Sequence, residues 1–178
     1  MANNKKKPII GILTGSQSDV GIVTKAVEVL KEFGVRYEVG IASAHRTPDD
    51  VANYAAGAGK RGVAVIIAMA GLSAALPGAV AAHTTLPVVG VPIASGALSG
   101  FDALLSAAQM PPGMPVACMS VDGGKNAALF ALRILALSDK DLAERLEAWS
   151  KKSADQTRKS REKLEDMHQI PPEAFIKK

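Results

Sequence analysis

The chain has 178 residues, 48% of them apolar but only 4% aromatic, and a formal net charge of +4. That length suits one domain burying its own core, and abundant Ala and Gly with few aromatics suit a parallel sheet under closely packed helices. A single cysteine, Cys118, excludes an internal disulfide and a cysteine-based zinc cluster, and favours a reducing compartment. No apolar run approaches the length of a membrane span. The segment after the basic start is too short and too strand-like for a signal peptide, so a cytoplasmic protein without membrane contact is expected. Basic residues crowd both ends, with Lys5, Lys6 and Lys7 at one and Lys151, Lys152, Arg158, Lys159, Arg161 and Lys163 near the other. No aromatic stacking groups or reading helix accompany them, so they read as solvated ends rather than a nucleic-acid surface.

Residues 8–14 (PIIGILT) form a short apolar run ending in Gly15, the mark of a buried strand meeting a turn. After Ser16-Gln17-Ser18-Asp19, a helical stripe of Val20, Val23, Val27 and Leu30 runs to a stop at Gly34. Residues 36–42 alternate as a second strand and deliver the chain to Ser43-Ala44-His45-Arg46-Thr47-Pro48. Pro48 suits a first helical turn, and Asp49 and Asp50 suit its positive end, for a helix to about residue 60. Residues 63–70 (VAVIIAMA) make the strongest strand. Gly71-Leu72-Ser73-Ala74-Ala75-Leu76-Pro77-Gly78 follows, then a short helix to about His83. Residues 86–91 read as a strand closed by Pro92, 96–100 as a loop and 101–109 as a helix. Pro111-Pro112-Gly113 breaks the chain before a fifth strand at 116–121, and 125–137 is helical and apolar nearly all round. Such alternation predicts a parallel α/β sheet with helices on both faces, right-handed crossovers and ligands off the carboxyl ends of the strands.

From Ser138 the character changes. Ser138-Asp139-Lys140-Asp141 resembles an N-terminal cap, Leu142, Leu146 and Trp149 form one stripe, and the helix runs to about Asp166 before Pro171-Pro172. So thin a stripe has little to pack on in its own sheet. With the all-round apolar helix before it, it argues for burial against another copy of the chain. The expected division is a basic segment 1–7, an α/β catalytic domain 8–137, a C-terminal helix 138–166 packing on a neighbouring subunit, and a tail 167–178.

Three loops fall at carboxyl ends of predicted strands. The first, Gly15-Ser16-Gln17-Ser18-Asp19, offers hydroxyls and a helix N-terminus to an anion. Asp19 would repel a phosphate but suits the diol of a ribose, while Ser18 or Asp19 serves equally well as a simple helix cap. In the second, Ser43 and Arg46 can reach an anion while His45 faces a reacting group; a histidine satisfied by backbone and an arginine in a surface ion pair are the plainer alternatives. The third fits neither a Walker pattern nor Gly-x-Gly-x-x-Gly. It allows close backbone approach to a planar ligand, with Ser73 addressing a carboxylate, or is only a tight strand-to-helix turn. His45, His83 and His168 lack ligand spacing, so no metal is expected. Together the residues suit a phosphorylated riboside bearing an acidic or ionisable planar group, with one histidine as acid–base.

The runs Gly15-Ser16-Gln17-Ser18-Asp19, Ser43-Ala44-His45-Arg46-Thr47-Pro48, Leu76-Pro77-Gly78, Pro87-Val88-Val89-Gly90-Val91-Pro92, Leu98-Ser99-Gly100 and Gln109-Met110-Pro111 resemble the PurE family of purine biosynthesis, in order from about residue 8 to 150. The resemblance implies a flavodoxin-like three-layer fold with about five parallel strands and a C-terminal helical extension, assembled as a homo-octamer. It implies conversion of N5-carboxyaminoimidazole ribonucleotide to 4-carboxyaminoimidazole ribonucleotide through released CO2, with no metal, biotin, ATP or other cofactor. By motif, His45 is then the acid–base, Ser16, Ser43 and Arg46 hold the phosphate, Asp19 holds the ribose, and Ser18 is a further substrate-binding residue. Gly71, Leu72, Ser73 and Ala75 enclose CO2 and the imidazole. Where the mutase class usually has Gly-Gly-Ala-Ala-His-Leu-Pro-Gly, this chain has Ala75 in place of the second histidine. That loop resembles the class that carboxylates aminoimidazole ribonucleotide directly, whereas Arg46 and Gly90-Val91-Pro92 resemble the mutase class. The glycine-rich approach to Asn126 is also shorter than usual. The mutase is the expected activity, with the direct carboxylase as alternative. A non-catalytic nucleotide sensor and a related carboxylase of nickel-pincer cofactor synthesis stand as rivals from other classes.

Overall fold

The computed structural model describes residues 8–164 and 167–176. The basic segment 1–7, the expected helix end at 165–166 and the last two residues lie outside them. Strands β1 (Ile9–Thr14), β2 (Arg36–Ile41), β3 (Val63–Gly71), β4 (Val88–Ile93) and β5 (Ala117–Cys118) form one sheet in the order β2-β1-β3-β4-β5. Every pairing is parallel. This is the flavodoxin-like order, whose switch point lies between β1 and β3.

Helices α1 (Val20–Glu32), α2 (Pro48–Arg61), α3 (Leu76–Ala82), α4 (Phe101–Ala108) and α5 (Gly124–Ala136) cover the sheet, and α6 (Lys140–Lys159) packs outside them against α5. On one face Ile10, Ile12, Val65, Ile67 and Met69 meet Val23, Leu30, Ala128 and Leu132 of α1 and α5. On the other, Leu13, Ile66 and Ala68 meet Val51, Ala55, Leu76, Val80 and Ala103 of α2, α3 and α4. Both faces of β1, β3 and β4 are thus buried, which is why these strands read as unbroken apolar runs instead of alternating.

Several boundaries differ from the sequence pattern. The buried stripe of α1 is Val23, Ala26, Val29 and Leu30, with Val27 half-buried against the same core, so that of the expected stripe only Val20 falls outside. Val20 is 44% exposed because it sits where the helix leaves the first loop. Strand β4 continues through Pro92, which pairs with Ala70 of β3. Proline removes one donor, but its carbonyl still accepts the Asp122 N–H at 2.8 Å. Strand β5 is only two residues long, because a turn closed by Gly123 N–H to Ser120 O at 3.0 Å takes the chain away from the edge.

The cap of α6 is Asp139, whose carboxylate accepts the Leu142 N–H at 3.0 Å. Its stripe does have a partner in its own chain. Leu142 is buried, Leu146 and Trp149 pack on the α1/α5 core, and the Trp149 ring lies 6.3 Å from that of Phe33. This contact joins the C-terminal end of α1 to the middle of α6, and local periodicity carries no sign of it.

Candidate active site

Four strand ends converge at the carboxyl edge of the sheet. The first loop follows β1, where Ser16 caps a 3₁₀ turn at Gln17–Asp19 and its hydroxyl accepts the Ser18 N–H at 3.3 Å. Asp19 is buried, and its carboxylate does not cap α1. Instead Oδ2 accepts the buried Thr14 hydroxyl at 2.9 Å, and Oδ1 accepts that of Ser18 at 2.8 Å. A buried carboxylate is tolerable only when its lone pairs are met in this way. The 3₁₀ turn runs straight into α1, and the first amide of that helix, Val20 N–H, donates to Gln17 O.

The second loop is a closed turn. Thr47 N–H donates to Ser43 O at 2.8 Å, Ser43 N–H donates to the Thr47 hydroxyl at 2.9 Å, and Arg46 N–H donates to the Ser43 hydroxyl at 3.3 Å. Pinned so, the loop projects His45 and Arg46 outward. Arg46 Nη2 donates to the Gly15 carbonyl at 2.7 Å, which ties the second loop to the first across the β1–β2 pair. Among the described residues the remaining guanidinium donors have no partner, and they form the planar fork that suits phosphate. His45 is exposed, and its ring makes no hydrogen bond to a described residue.

The third loop leaves β3 at Gly71 and enters α3 at Leu76, with Leu72 in the left-handed region at φ 55°. Ala74 and Leu76 are buried beneath it, while Leu72 and Ser73 are exposed.

Every residue expected at the site from the sequence, from Ser16 to Ala75, lines one open cavity of about 500 Å³, a size typical of small-molecule sites. Its two ends differ. Hydroxyls, Asp19 and Arg46 surround the end near β1 and β2, whereas Ala70, Gly71, Leu72, Ala74, Ala75 and Leu76 make a mostly apolar end near β3. Ser95, beyond β4, also lines the cavity and was not among the expected residues. Its signal in the sequence was weak, since the 86–91 strand was expected to close at Pro92 and Ser95 lies three residues beyond that proline. His83 stands apart, at the end of α3, in a separate hollow with Lys60 and Thr84. Among the described residues no group of three potential ligands is placed to hold a metal.

The family model for AIR carboxylase matches residues 9–156. The chain belongs to that family. Among its relatives in the family is the N5-carboxyaminoimidazole ribonucleotide mutase of Pyrococcus horikoshii, 48% identical over 171 residues that span 96% of this chain and 95% of that one. The corresponding mutase of Methanocaldococcus jannaschii is 50% identical over 160 residues, 89% of this chain and 99% of that one. A phosphoribosylaminoimidazole carboxylase of Saccharomyces cerevisiae is 46% identical over 159 residues, which make up only 28% of that longer protein. Among solved structures, Treponema denticola PurE superposes with a TM-score of 0.79 at 32% identity, covering 89% of this chain and 99% of its own.

Proposed function

We propose that this chain is an N5-carboxyaminoimidazole ribonucleotide mutase of purine biosynthesis. The observation that carries the reading is one cavity in which Arg46 and the Ser16, Ser18 and Ser43 hydroxyls face an apolar end, with the His45 imidazole at its mouth. The nucleotide phosphate sits against Arg46 and the Ser16 and Ser43 hydroxyls. The Asp19 carboxylate, held by Thr14 and Ser18, takes a ribose hydroxyl on a remaining lone pair. The imidazole base then reaches the apolar end between Gly71 and Ala75.

The reaction balances with one proton carrier. His45 as imidazolium gives a proton to the carbamate nitrogen as the N–C bond breaks and CO2 is released. The ring carbon attacks that CO2, a C–C bond forms, and neutral His45 takes back the proton that this carbon loses. Substrate and product differ only in the position of the carboxyl group. A small apolar end to the cavity serves this chemistry by holding CO2 beside the carbon that attacks it.

A specific observation favours the direct carboxylation of aminoimidazole ribonucleotide as second reading: Ala75 leaves the third loop without a titratable side chain. Supplying each substrate separately and following product distinguishes the two. Conversion of the N5-carboxylated compound is expected; product from aminoimidazole ribonucleotide and bicarbonate alone, with none from the carbamate, overturns the mutase reading. His45→Asn is expected to abolish turnover while leaving nucleotide binding within a few-fold. Near-normal turnover removes its assigned role.

The family resemblance also supports a homo-octamer in the cytoplasm, with the α6 helix of each copy reaching onto a neighbour. Exposed apolar side chains on the edge strand β2, Val39 at 48% and Ile41 at 58%, suit burial in such an assembly. Light scattering coupled to gel filtration tests it, and a monomer at micromolar concentration refutes it.

A further inference from the structure

The cavity has a fourth wall that the family motifs in the loops do not use. Strand β4 ends at Ile93, which pairs with Gly71 at the end of β3. The chain beyond it is held from below. Ala94 N–H donates to Asp122 Oδ1 at 3.0 Å, and Asp122 N–H donates back to Pro92 O at 2.8 Å. Asp122 bridges the two from a left-handed backbone at φ 56°, a conformation that Asp adopts more readily than most residues. Gly100 passes close underneath, where a Cβ would stand 3.0 Å from Ala94 Cα and 3.2 Å from Ile93 O. Gly96 rests against Leu72, since a Cβ there would lie 2.8 Å from Leu72 Cδ2.

This bracket sets Ser95 directly against Gly71, close enough that a side chain at residue 71 would collide with the Ser95 hydroxyl. Residue 71 has to be glycine for the hydroxyl to stand there. Ser95 is half-buried, and its hydroxyl has no hydrogen-bond partner among the described residues, although it lines the cavity. Among the described residues the only other hydroxyl at the apolar end is that of Ser73, which is exposed on the third loop. A half-buried hydroxyl held by fixed backbone and aimed at an apolar chamber is set to serve a ligand oxygen.

We propose that Ser95 is a substrate-binding residue that donates a hydrogen bond to the carboxyl oxygen of the substrate and then to released CO2, retaining it beside the imidazole. This inference rests on the decarboxylation–recarboxylation reading given above. The hydroxyl breaks no bond and carries no proton away. Its effect is to orient CO2 and to slow its escape, leaving the nucleotide end untouched.

The test follows the carboxyl group. Wild type and Ser95→Ala are each given the unlabelled N5-carboxylated substrate in buffer with ¹³C-bicarbonate and carbonic anhydrase. The share of product carrying ¹³C reports how often CO2 leaves before it is recaptured. Loss of one neutral hydrogen bond is expected to raise that share about two- to tenfold. The KM for the N5-carboxylated nucleotide should rise by no more than the same factor, since its carboxyl oxygen loses one hydrogen bond, and the melting temperature should stay close to wild type. An unchanged ¹³C share overturns the inference, as does an effect confined to nucleotide KM or to the melting temperature, which would assign the hydroxyl to the nucleotide or to packing. If the wild type fails to use the carbamate but carboxylates aminoimidazole ribonucleotide, the mutase reading falls separately. The same variant is then read through its KM for CO2, where a rise of the same size supports Ser95 and no rise overturns it.

Discussion

Replacing Gly124 by alanine sets a methyl group against backbone that cannot move aside. Gly124 opens α5 where it crosses α1, and a Cβ there would stand 2.6 Å from Ile22 O and 2.9 Å from Ile22 Cγ2. Helix propensity argues the other way, since alanine is favoured over glycine in a helix by up to about 1 kcal/mol. Forcing extra volume into a packed core costs about 1–3 kcal/mol, and the upper part of that range applies where the neighbour is a carbonyl rather than a flexible side chain. The net expectation is a loss of about 2 kcal/mol, or a melting temperature lower by about 4–8 °C for a chain of this size. Gly59 in α2 is the matched control, because nothing lies within 4 Å of a Cβ built on it. Gly59→Ala should raise the melting temperature by about 1–4 °C, through propensity and a less flexible unfolded chain. Both variants are melted by circular dichroism at one protein concentration, so that any assembly contributes equally. A Gly124→Ala protein that melts at or above wild type would refute the packing of α1 on α5 described above.

Two further perturbations test the buried and the exposed electrostatics. Thr14→Val keeps the shape of a buried side chain but removes a donor from the Asp19 carboxylate, which should cost about 1.5–3 kcal/mol in denaturant unfolding and raise the nucleotide KM; unaltered stability and KM would show that Thr14 does not support Asp19. The guanidinium of Arg61, 2.9 Å from Glu38 across β2 and α2, is the main cause holding the Glu38 carboxyl below its ordinary 4.5. A carboxyl whose pKa is lower folded than unfolded stabilises above the unfolded value and loses that contribution as the pH falls through the folded one. Glu38→Gln should therefore lower stability at pH 7 and cease to matter well below pH 4.5. With side-chain exposures of 42% and 31%, the pair is screened, and the loss should stay under about 1 kcal/mol and shrink in high salt. An equal loss at pH 3 and pH 7 would exclude the ion pair as its source.

Most of the sheet was legible before any coordinates because its signals are local. Residues 63–70 could be little other than a strand buried on both faces, and the structure extends that strand by one residue to Gly71. Pro48 followed by two aspartates marked the start of α2, and Gly62 ends it in a left-handed cap. The loops at 15–19, 43–47 and 71–75 were legible for the same reason. Each is a cluster of hydroxyl, charged or glycine residues directly after an apolar run, and a parallel sheet brings such ends to one edge. Their meeting in one cavity follows from strand order, with β1 between β2 and β3.

What the sequence by itself determined was the set of strands and helices, because hydrophobic period and chain-breaking residues act over a few positions. Only the tertiary structure decided the contacts between residues far apart in the chain. Arg46 reaches Gly15 across 31 residues, Asp122 clasps Ala94 across 28, and Trp149 of α6 finds Phe33 at the end of α1. Ser95 belongs with these. Nothing around it in the chain distinguishes it from any loop serine, and it enters the site because β4 lies beside β3 and Gly71 leaves room for its hydroxyl. Local pattern carries no record of such neighbours, because they are set by how whole strands and helices pack.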